Sequence, residues 1–299
     1  MDIAVLGAGA IGSALGARLS HDESITLIGH DNDHLRAIQD GSLSVSGPGD
    51  SKTKRPVSVT TDHRAVETAD LLVLAVKSYD TKSAMKDIDP FVGDRPVLTL
   101  QNGLGNIEHI GSVIGTDQVI GGTTTMGASL PEPGHVRIEN LGQTRIGRPW
   151  GVNGSVLDRI ESVFEGAGFH ATVVPDIRQA IWEKVLINAG INPITALGQV
   201  PNGQLQAGVG RELLRATIRE AQAVAEAEGY PIENPVAKAT AVLKSTADNR
   251  SSMLRDIEAG NRTEIDALNG AIVERAESHG ISVPVNRTIT AAIELLSDD

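Results

Sequence analysis

Asp2-Ile3-Ala4-Val5-Leu6-Gly7-Ala8-Gly9-Ala10-Ile11-Gly12-Ser13-Ala14-Leu15-Gly16 follows Met1 and decides the reading of the first half of the chain. Five residues of apolar strand run into glycines at G-x-G-x-x-G spacing, and small residues at helical spacing come next. The glycines alone are a weak signal, because the chain holds 32 of them. Their context is what counts: a strand before, a helix after, and a second apolar run at 24–28 (SITLI) about twenty residues on. Gly7 permits the tight turn, Gly9 lets backbone approach a pyrophosphate, and Gly12 lets the helix lie close to the strand. The helix N-terminus then faces the anion, with Ala8, Ala10 and Ile11 completing the loop. A glycine-rich turn without a ligand is the plainer alternative.

Outward from this motif, further apolar runs at 71–76, 96–100 and 117–121 alternate with helical patterns near 10–20, 32–39, 80–88 and 106–113. That alternation predicts a parallel, doubly wound sheet. Segments 134–147 and 170–174 read as later strands, some of them antiparallel edges, and 47–56 reads as a loop or hairpin. From about 176 the strand signal ends. Residues 177–198, 208–229, 234–246 and 250–279 are helical, separated by turns such as Gly229-Tyr230-Pro231. The expected fold is an α/β Rossmann-type N-terminal domain, 1–173, followed by an all-α C-terminal domain, 174–299.

Composition bounds the function. In 299 residues, 40% are hydrophobic and 21% charged, enough to bury a core and inconsistent with wholesale disorder. No run reaches the roughly 18 to 20 apolar residues of a membrane span, and the first residues lack a basic n-region and cleavage site, so a cytoplasmic protein without membrane association is expected. The absence of cysteine excludes disulfides, thiol nucleophiles and Cys-based zinc sites. No metal site is expected. A net charge of −12 disfavours nucleic-acid binding. It suits a salt-rich cytoplasm, and the excess of arginine over lysine suits a GC-rich genome equally well. An anionic ligand must be held by a few placed groups rather than by the overall field.

Three loops follow strands, where open α/β sheets bind ligands. Ile28-Gly29-His30-Asp31-Asn32-Asp33 ends the second strand, where an acidic residue selects NAD and an arginine selects NADP; neither pattern is clean, and Asp31 or Asp33 serves equally well as a helix N-cap. Lys77 stands in the second loop and Asn102 in the third. In the helical half, Lys184, Asn188 and Asn192 fall at i, i+4 and i+8, so they form one row on one helix face. Their neighbours Val185, Leu186, Ile187, Ala189 and Ile191 are apolar, so the row is expected to line a cleft rather than sit in the core, where unpaired polar groups cost a few kcal/mol each; a narrow solvent-facing polar stripe is the plainer alternative. The stretch 250–266 reads alone as a loop and a capped helix, with Asn261 or Thr263 as cap and Glu264 and Asp266 in the first turn.

Together these segments resemble the ketopantoate reductase family over almost the whole chain. The resemblance rests on GAGAIG at 7–12, VKSYD at 76–80, LQNGLGN at 100–106, GGTTTMGA at 121–128, WEKVLINAGINPITAL at 182–197, PNGQL at 201–205 and SSMLRDIEAGNRTEIDALNG at 251–270. It implies reduction of ketopantoate to pantoate with Lys184 as general acid, and substrate contacts from Asn102, Asn188, Asn192, Asn202 and Ser252. It also implies cofactor contacts from the glycine loop, His30, Lys77, Asn102, Ala128 and Glu264. The cofactor it implies is NADP(H); His30 stands where many members carry arginine, which leaves NAD(H) open. A homodimer is an admissible assembly. The competing readings are another 2-keto acid or opine-type dehydrogenase of the same architecture, or a non-catalytic dinucleotide-binding module.

Overall fold

The computed structural model describes residues 1–47 and 50–297. The chain forms two compact units: residues 1–101 with 106–177, and residues 102–105 with 178–299.

The first unit runs β1 (Asp2–Leu6), α1 (Ala10–Leu19), β2 (Ser24–Ile28), α2 (Asp33–Asp40), β3 (Leu43–Gly47), β4 (Asp50–Arg55), β5 (Ser58–Thr60), β6 (Leu71–Leu74), α3 (Thr81–Val92), β7 (Val97–Thr99), α4 (Asn106–Ile114), β8 (Val119–Thr124), β9 (Gly127–Glu132), β10 (His135–Asn140), β11 (Gln143–Gly147), α5 (Ser155–Gly166) and β12 (His170–Val173). Eight strands make the main sheet in the order β12-β11-β8-β7-β6-β1-β2-β5. All neighbours pair in parallel except β11, which runs antiparallel to β8. The order reverses at β1, flanked by β2 and β6, so the loops leaving β1 and β6 open at the switch point where doubly wound sheets bind nucleotides. Strands sandwiched between helices must be apolar on both faces. Accordingly Ile3, Val5, Leu27, Leu71, Val73, Leu98, Ile120 and Ile146 are buried together in one core on one face, and the alternate positions Ala4, Leu6, Ile28, Leu72, Leu74, Val97 and Val119 are buried as well.

Four further strands form a small sheet, β4-β3-β10-β9. In the stretch 47–56, expected as a loop or hairpin, β4 pairs antiparallel with β3; residues 48 and 49 lie outside the described residues. The expected strand region 134–147 is two strands in different sheets, β10 and β11. Neither β9 nor α5 stood out in the sequence. β9 reads GASLPE, too polar to signal a strand, and it is held by antiparallel pairing with β10.

The second unit contains α6 (Ile177–Gly198), α7 (Gly208–Ala227), α8 (Pro235–Ser245), α9 (Ser252–Glu258), α10 (Asn269–His279) and α11 (Pro284–Ser297). The helical pattern expected over 250–279 is broken: α9 stops at Glu258, residues 259–264 are irregular, and a short 3-10 turn at Ile265–Ala267 precedes α10. Gly260, with φ +65°, terminates the first piece in the left-handed region that favours glycine. Neither Asn261 nor Thr263 caps a helix, and the Thr263 hydroxyl is buried without a hydrogen-bond partner. α6 crosses α7 closely at Gly190, where a Cβ would lie 2.6 Å from Ile218 Cγ1.

Candidate active site

The glycine loop has the geometry that its spacing requires. Gly7 has φ +111°, and a Cβ there would meet the Ala75 carbonyl carbon at 2.6 Å. A Cβ on Gly12 would lie 1.9 Å from the Gly7 oxygen. Gly9, by contrast, faces open space. The first bond of α1 runs from the Ser13 N–H to the Gly9 oxygen at 2.8 Å. The N–H groups of Ala10, Ile11 and Gly12 therefore have no acceptor within the helix. Open space in front of orphan donors at a helix start fits a pyrophosphate.

His34 fixes this loop from behind, a role that sequence reasoning did not find. Its Nδ1 accepts the Gly134 N–H at 3.0 Å, so the proton sits on Nε2, which faces Ser13 Oγ at 3.0 Å. Ser13 in turn donates to the Ala8 oxygen. Burial holds the imidazole pKa below its ordinary value, consistent with the neutral tautomer that this chain of bonds requires.

At the end of β2, His30 is exposed. The cap of α2 is Asn32, whose side chain accepts the Leu35 N–H, so neither Asp31 nor Asp33 caps the helix. Asp31 instead forms a two-point pair with Arg36, Nε to Oδ1 at 2.8 Å and Nη2 to Oδ2 at 2.9 Å. The guanidinium hydrogen bond holds the Asp31 carboxyl below its usual range. A carboxylate that sequence alone leaves bare is thus locally neutralised. Arg36 is the residue the sequence reading missed, since i to i+5 is not a helical pairing distance.

Lys77 is half-buried, between β6 and a 3-10 turn at Ser78–Asp80. Gln101 braces this loop against the next: its Nε2 donates to the Val76 oxygen and to Thr81 Oγ1, each at 2.8 Å. Ala128 pairs with Ile138 in the small sheet, on a strand that packs against α1.

In the second unit, Lys184, Asn188 and Asn192 are all partly exposed on α6, while Val185, Leu186, Ala189 and Ile191 between them are buried to 3% or less. The polar row on a buried helix is therefore real. Burial pushes the Lys184 ammonium down to about 8, with the Glu264 carboxylate pulling it back up. Glu264 is buried and accepts a hydrogen bond from Asn102 Nδ2 at 3.3 Å. The Asn102 loop is seated on the 3-10 turn that follows Glu264. The Leu104 N–H donates to the Ala267 oxygen at 2.8 Å, and Gly103, at φ +92°, leaves room that a Cβ would take from that same oxygen. Lys184, Glu264 and Asn102 thus form one electrostatic cluster.

Ser252 is exposed at the start of α9. Its buried neighbour Ser251 caps that helix by accepting the Leu254 N–H, and its hydroxyl meets Thr195 Oγ1 at 2.8 Å and the Asn192 oxygen at 3.3 Å. Ser251, which sequence reasoning passed over, therefore ties Ser252 to the Asn192 end of the row. Asn202 is also buried: its N–H donates to the Asn249 oxygen and its Nδ2 to Thr246 Oγ1, while Oδ1 has no partner. A buried acceptor without a donor is costly unless a ligand hydroxyl fills the role.

Residues 3–150 match the family model for ketopantoate reductase PanE/ApbA, and residues 176–297 match that for its C-terminal part. A 2-dehydropantoate 2-reductase of Halobacterium salinarum is 43% identical, with all of both chains covered. One from Pyrococcus horikoshii is 36% identical, covering 98% of this chain and 97% of that one. A PanE/ApbA family ketopantoate reductase of Ralstonia eutropha superposes with a TM-score of 0.92 at 32% identity, covering 100% of this chain and 99% of that one. D-mandelate dehydrogenase with NADH and anilino(oxo)acetate gives the same TM-score and coverage at 23% identity, a likeness of fold.

Proposed function

The chain belongs to the ketopantoate reductase family, and on that premise we propose that it reduces 2-dehydropantoate (ketopantoate) to pantoate, a step of pantothenate and coenzyme A biosynthesis. The observation that carries the proposal is the half-buried Lys184 at the head of an asparagine row, in one cluster with Glu264 and Asn102.

A reduced nicotinamide held at the glycine loop would supply the hydride that the ketone carbon of the substrate requires. This chain's residues do the rest. Charge that develops on the ketone oxygen is met by the Lys184 ammonium, which then gives up a proton to it. A pKa near 8 suits that transfer at neutral pH: the group is mostly protonated, yet its proton leaves far more readily than from an exposed lysine. Glu264 keeps the ammonium from losing its proton altogether. Asn188 and Asn192 offer donors and acceptors for the substrate's carbonyl and hydroxyl, the orphan Asn202 Oδ1 accepts from a hydroxyl, and Ser252 meets the carboxylate. The α/β unit binds the cofactor, and the helical unit, to which Asn102 belongs, binds the substrate.

The cofactor is NADPH in this reading. With Asp31 occupied by Arg36, a ribose 2′-phosphate meets His30 and a guanidinium rather than a bare carboxylate. The reaction is a cytoplasmic one; no helix among the described residues is long and apolar enough to cross a membrane. The deciding experiment is oxidation of NADPH and NADH with ketopantoate and a panel of 2-keto acids. Turnover of a related keto acid with no turnover of ketopantoate would refute the substrate.

A further inference from the structure

On the second unit, α7 and α8 line an open groove of about 680 Å³, a volume in the size range of small-molecule sites. Arg211, Arg215 and Arg219 line one wall. Their i, i+4, i+8 spacing makes a ladder of guanidinium groups about 12 Å long along α7. Lys244 adds a fourth cation from α8, and no aspartate or glutamate lines the groove. In a chain with 38 acidic and 26 basic residues, four cations without a carboxylate reverse the prevailing sign. None of the four side chains makes a hydrogen bond or ion pair among the described residues, although other arginines of this chain, such as Arg36, Arg64 and Arg287, pair with acids. Like charges at i, i+4 repel, so the ladder opposes the helix that carries it.

The opposite wall has a different character. Pro235, Val236, Ala237 and Ala241 present apolar surface, and because Asn234 to Ala237 form the start of α8, the positive end of its dipole opens on the same groove. Asn234, in the left-handed region at φ +50°, places its side chain at that entrance without using it as a cap.

From these observations we propose that the α7–α8 groove binds a nucleotide-sized phosphate ester, its phosphates along the Arg211–Arg215–Arg219 ladder and its uncharged body against Pro235, Val236 and Ala241. Guanidinium forks match phosphate oxygens two at a time, and a string of two or three phosphates fits a ladder of this length. Nucleic acid is disfavoured by the net charge of −12 and by the short reach of the ladder. The site lies apart from the Lys184 row and is independent of the reaction proposed above.

The test is calorimetric titration of the full chain with ATP, without cofactor and again with saturating NADPH, which separates the groove from the glycine loop. Inorganic tripolyphosphate and adenosine serve as parallel titrants. With NADPH bound, one ATP per chain is expected, more tightly held than either fragment and weakened by added salt. Arg215→Ala should lower ATP affinity at least about tenfold, as loss of a charge-assisted contact does, while KM for NADPH and ketopantoate stays unchanged. Absence of ATP binding under saturating NADPH overturns the proposal, as does binding that survives in the R211A/R215A/R219A variant. Tripolyphosphate binding as tightly as ATP also overturns it, by showing a charge patch with no site for the body. Light scattering explains an absence of ATP binding: a wild-type dimer that dissociates in the triple variant, with no ATP bound, shows the groove to be covered by a second copy instead.

Discussion

The proposed reaction asks Lys184 to be a cation when substrate arrives and a proton donor a moment later, and its partly buried position on α6 reconciles the two. Its folded pKa is depressed from 10.5 to about 8, so the required ammonium is present below pH 8 and is lost as pH rises through it. kcat/KM for ketopantoate should therefore fall on the alkaline side with a midpoint near 8. Glu264 raises that pKa, so Glu264→Gln should move the limb to lower pH; a pH–rate profile of the variant that keeps the wild-type midpoint would remove Glu264 from the mechanism. Lys184→Ala should lower kcat by about 10² to 10⁴ in a protein that still melts cooperatively, whereas an ordinary surface lysine would leave kinetics unaltered. Asn188→Ala should raise KM more than it lowers kcat, because the proposed substrate contact would be made in ground and transition states alike. At the other end of the reaction, Arg36→Ala should reduce the ratio of kcat/KM for NADPH over NADH, and His30→Arg should increase it. Ratios unchanged in both variants would place the 2′-position elsewhere.

Helix α6 carries Pro193 in its interior, where proline removes a donor and strains the turn. The N–H that Pro193 lacks would have bonded the Ala189 oxygen four residues earlier. The structure supplies a substitute: buried Asn269 of α10 donates Nδ2 to that oxygen at 3.2 Å and to Asn286 Oδ1 at 3.0 Å. Asn286 passes the chain on to Glu220, which also accepts the Val285 and Asn286 N–H groups at the start of α11. A defect in α6 is thus repaired by a network holding α7, α10 and α11. Asn269→Ala should cost about 2 kcal/mol in chemical denaturation, the scale of buried polar groups left unpaired. In the Pro193→Ala background, where residue 193 can donate again, the cost should be smaller; equal costs in both backgrounds would mean that the bond to Ala189 contributes nothing. Such repairs explain what the sequence conceals. The β1–α1–β2 motif and the Lys184–Asn188–Asn192 row are legible because each is local, set by spacing within one element. Asn269, Arg36, His34 and Ser251 are not, since their roles depend on partners that only the folded chain delivers. The small sheet is hidden for the same reason, with β10 pairing in parallel to β3 from far along the chain.

Over the whole molecule, an excess of twelve negative charges opposes compactness through self-repulsion. Screening at higher ionic strength should relieve it, so the melting temperature should rise between about 0.1 M and about 1 M KCl, where the screening length shortens from about 10 Å to about 3 Å. A melting temperature that falls over that range would show that surface ion pairs such as Arg64–Asp62 and Arg287–Glu277 outweigh the repulsion. The division of the chain bears on a different matter. Because residues 102–105 belong with 178–299, the helical unit is written in two separate stretches of sequence, and the shorter one contributes Asn102 to the cluster and Leu104 to the apolar core. A gene fragment encoding only 178–299 would omit both. Recombination that shuffles whole segments between enzymes can therefore exchange the α/β half only by carrying along four residues of its counterpart, which makes the two units a single package for inheritance.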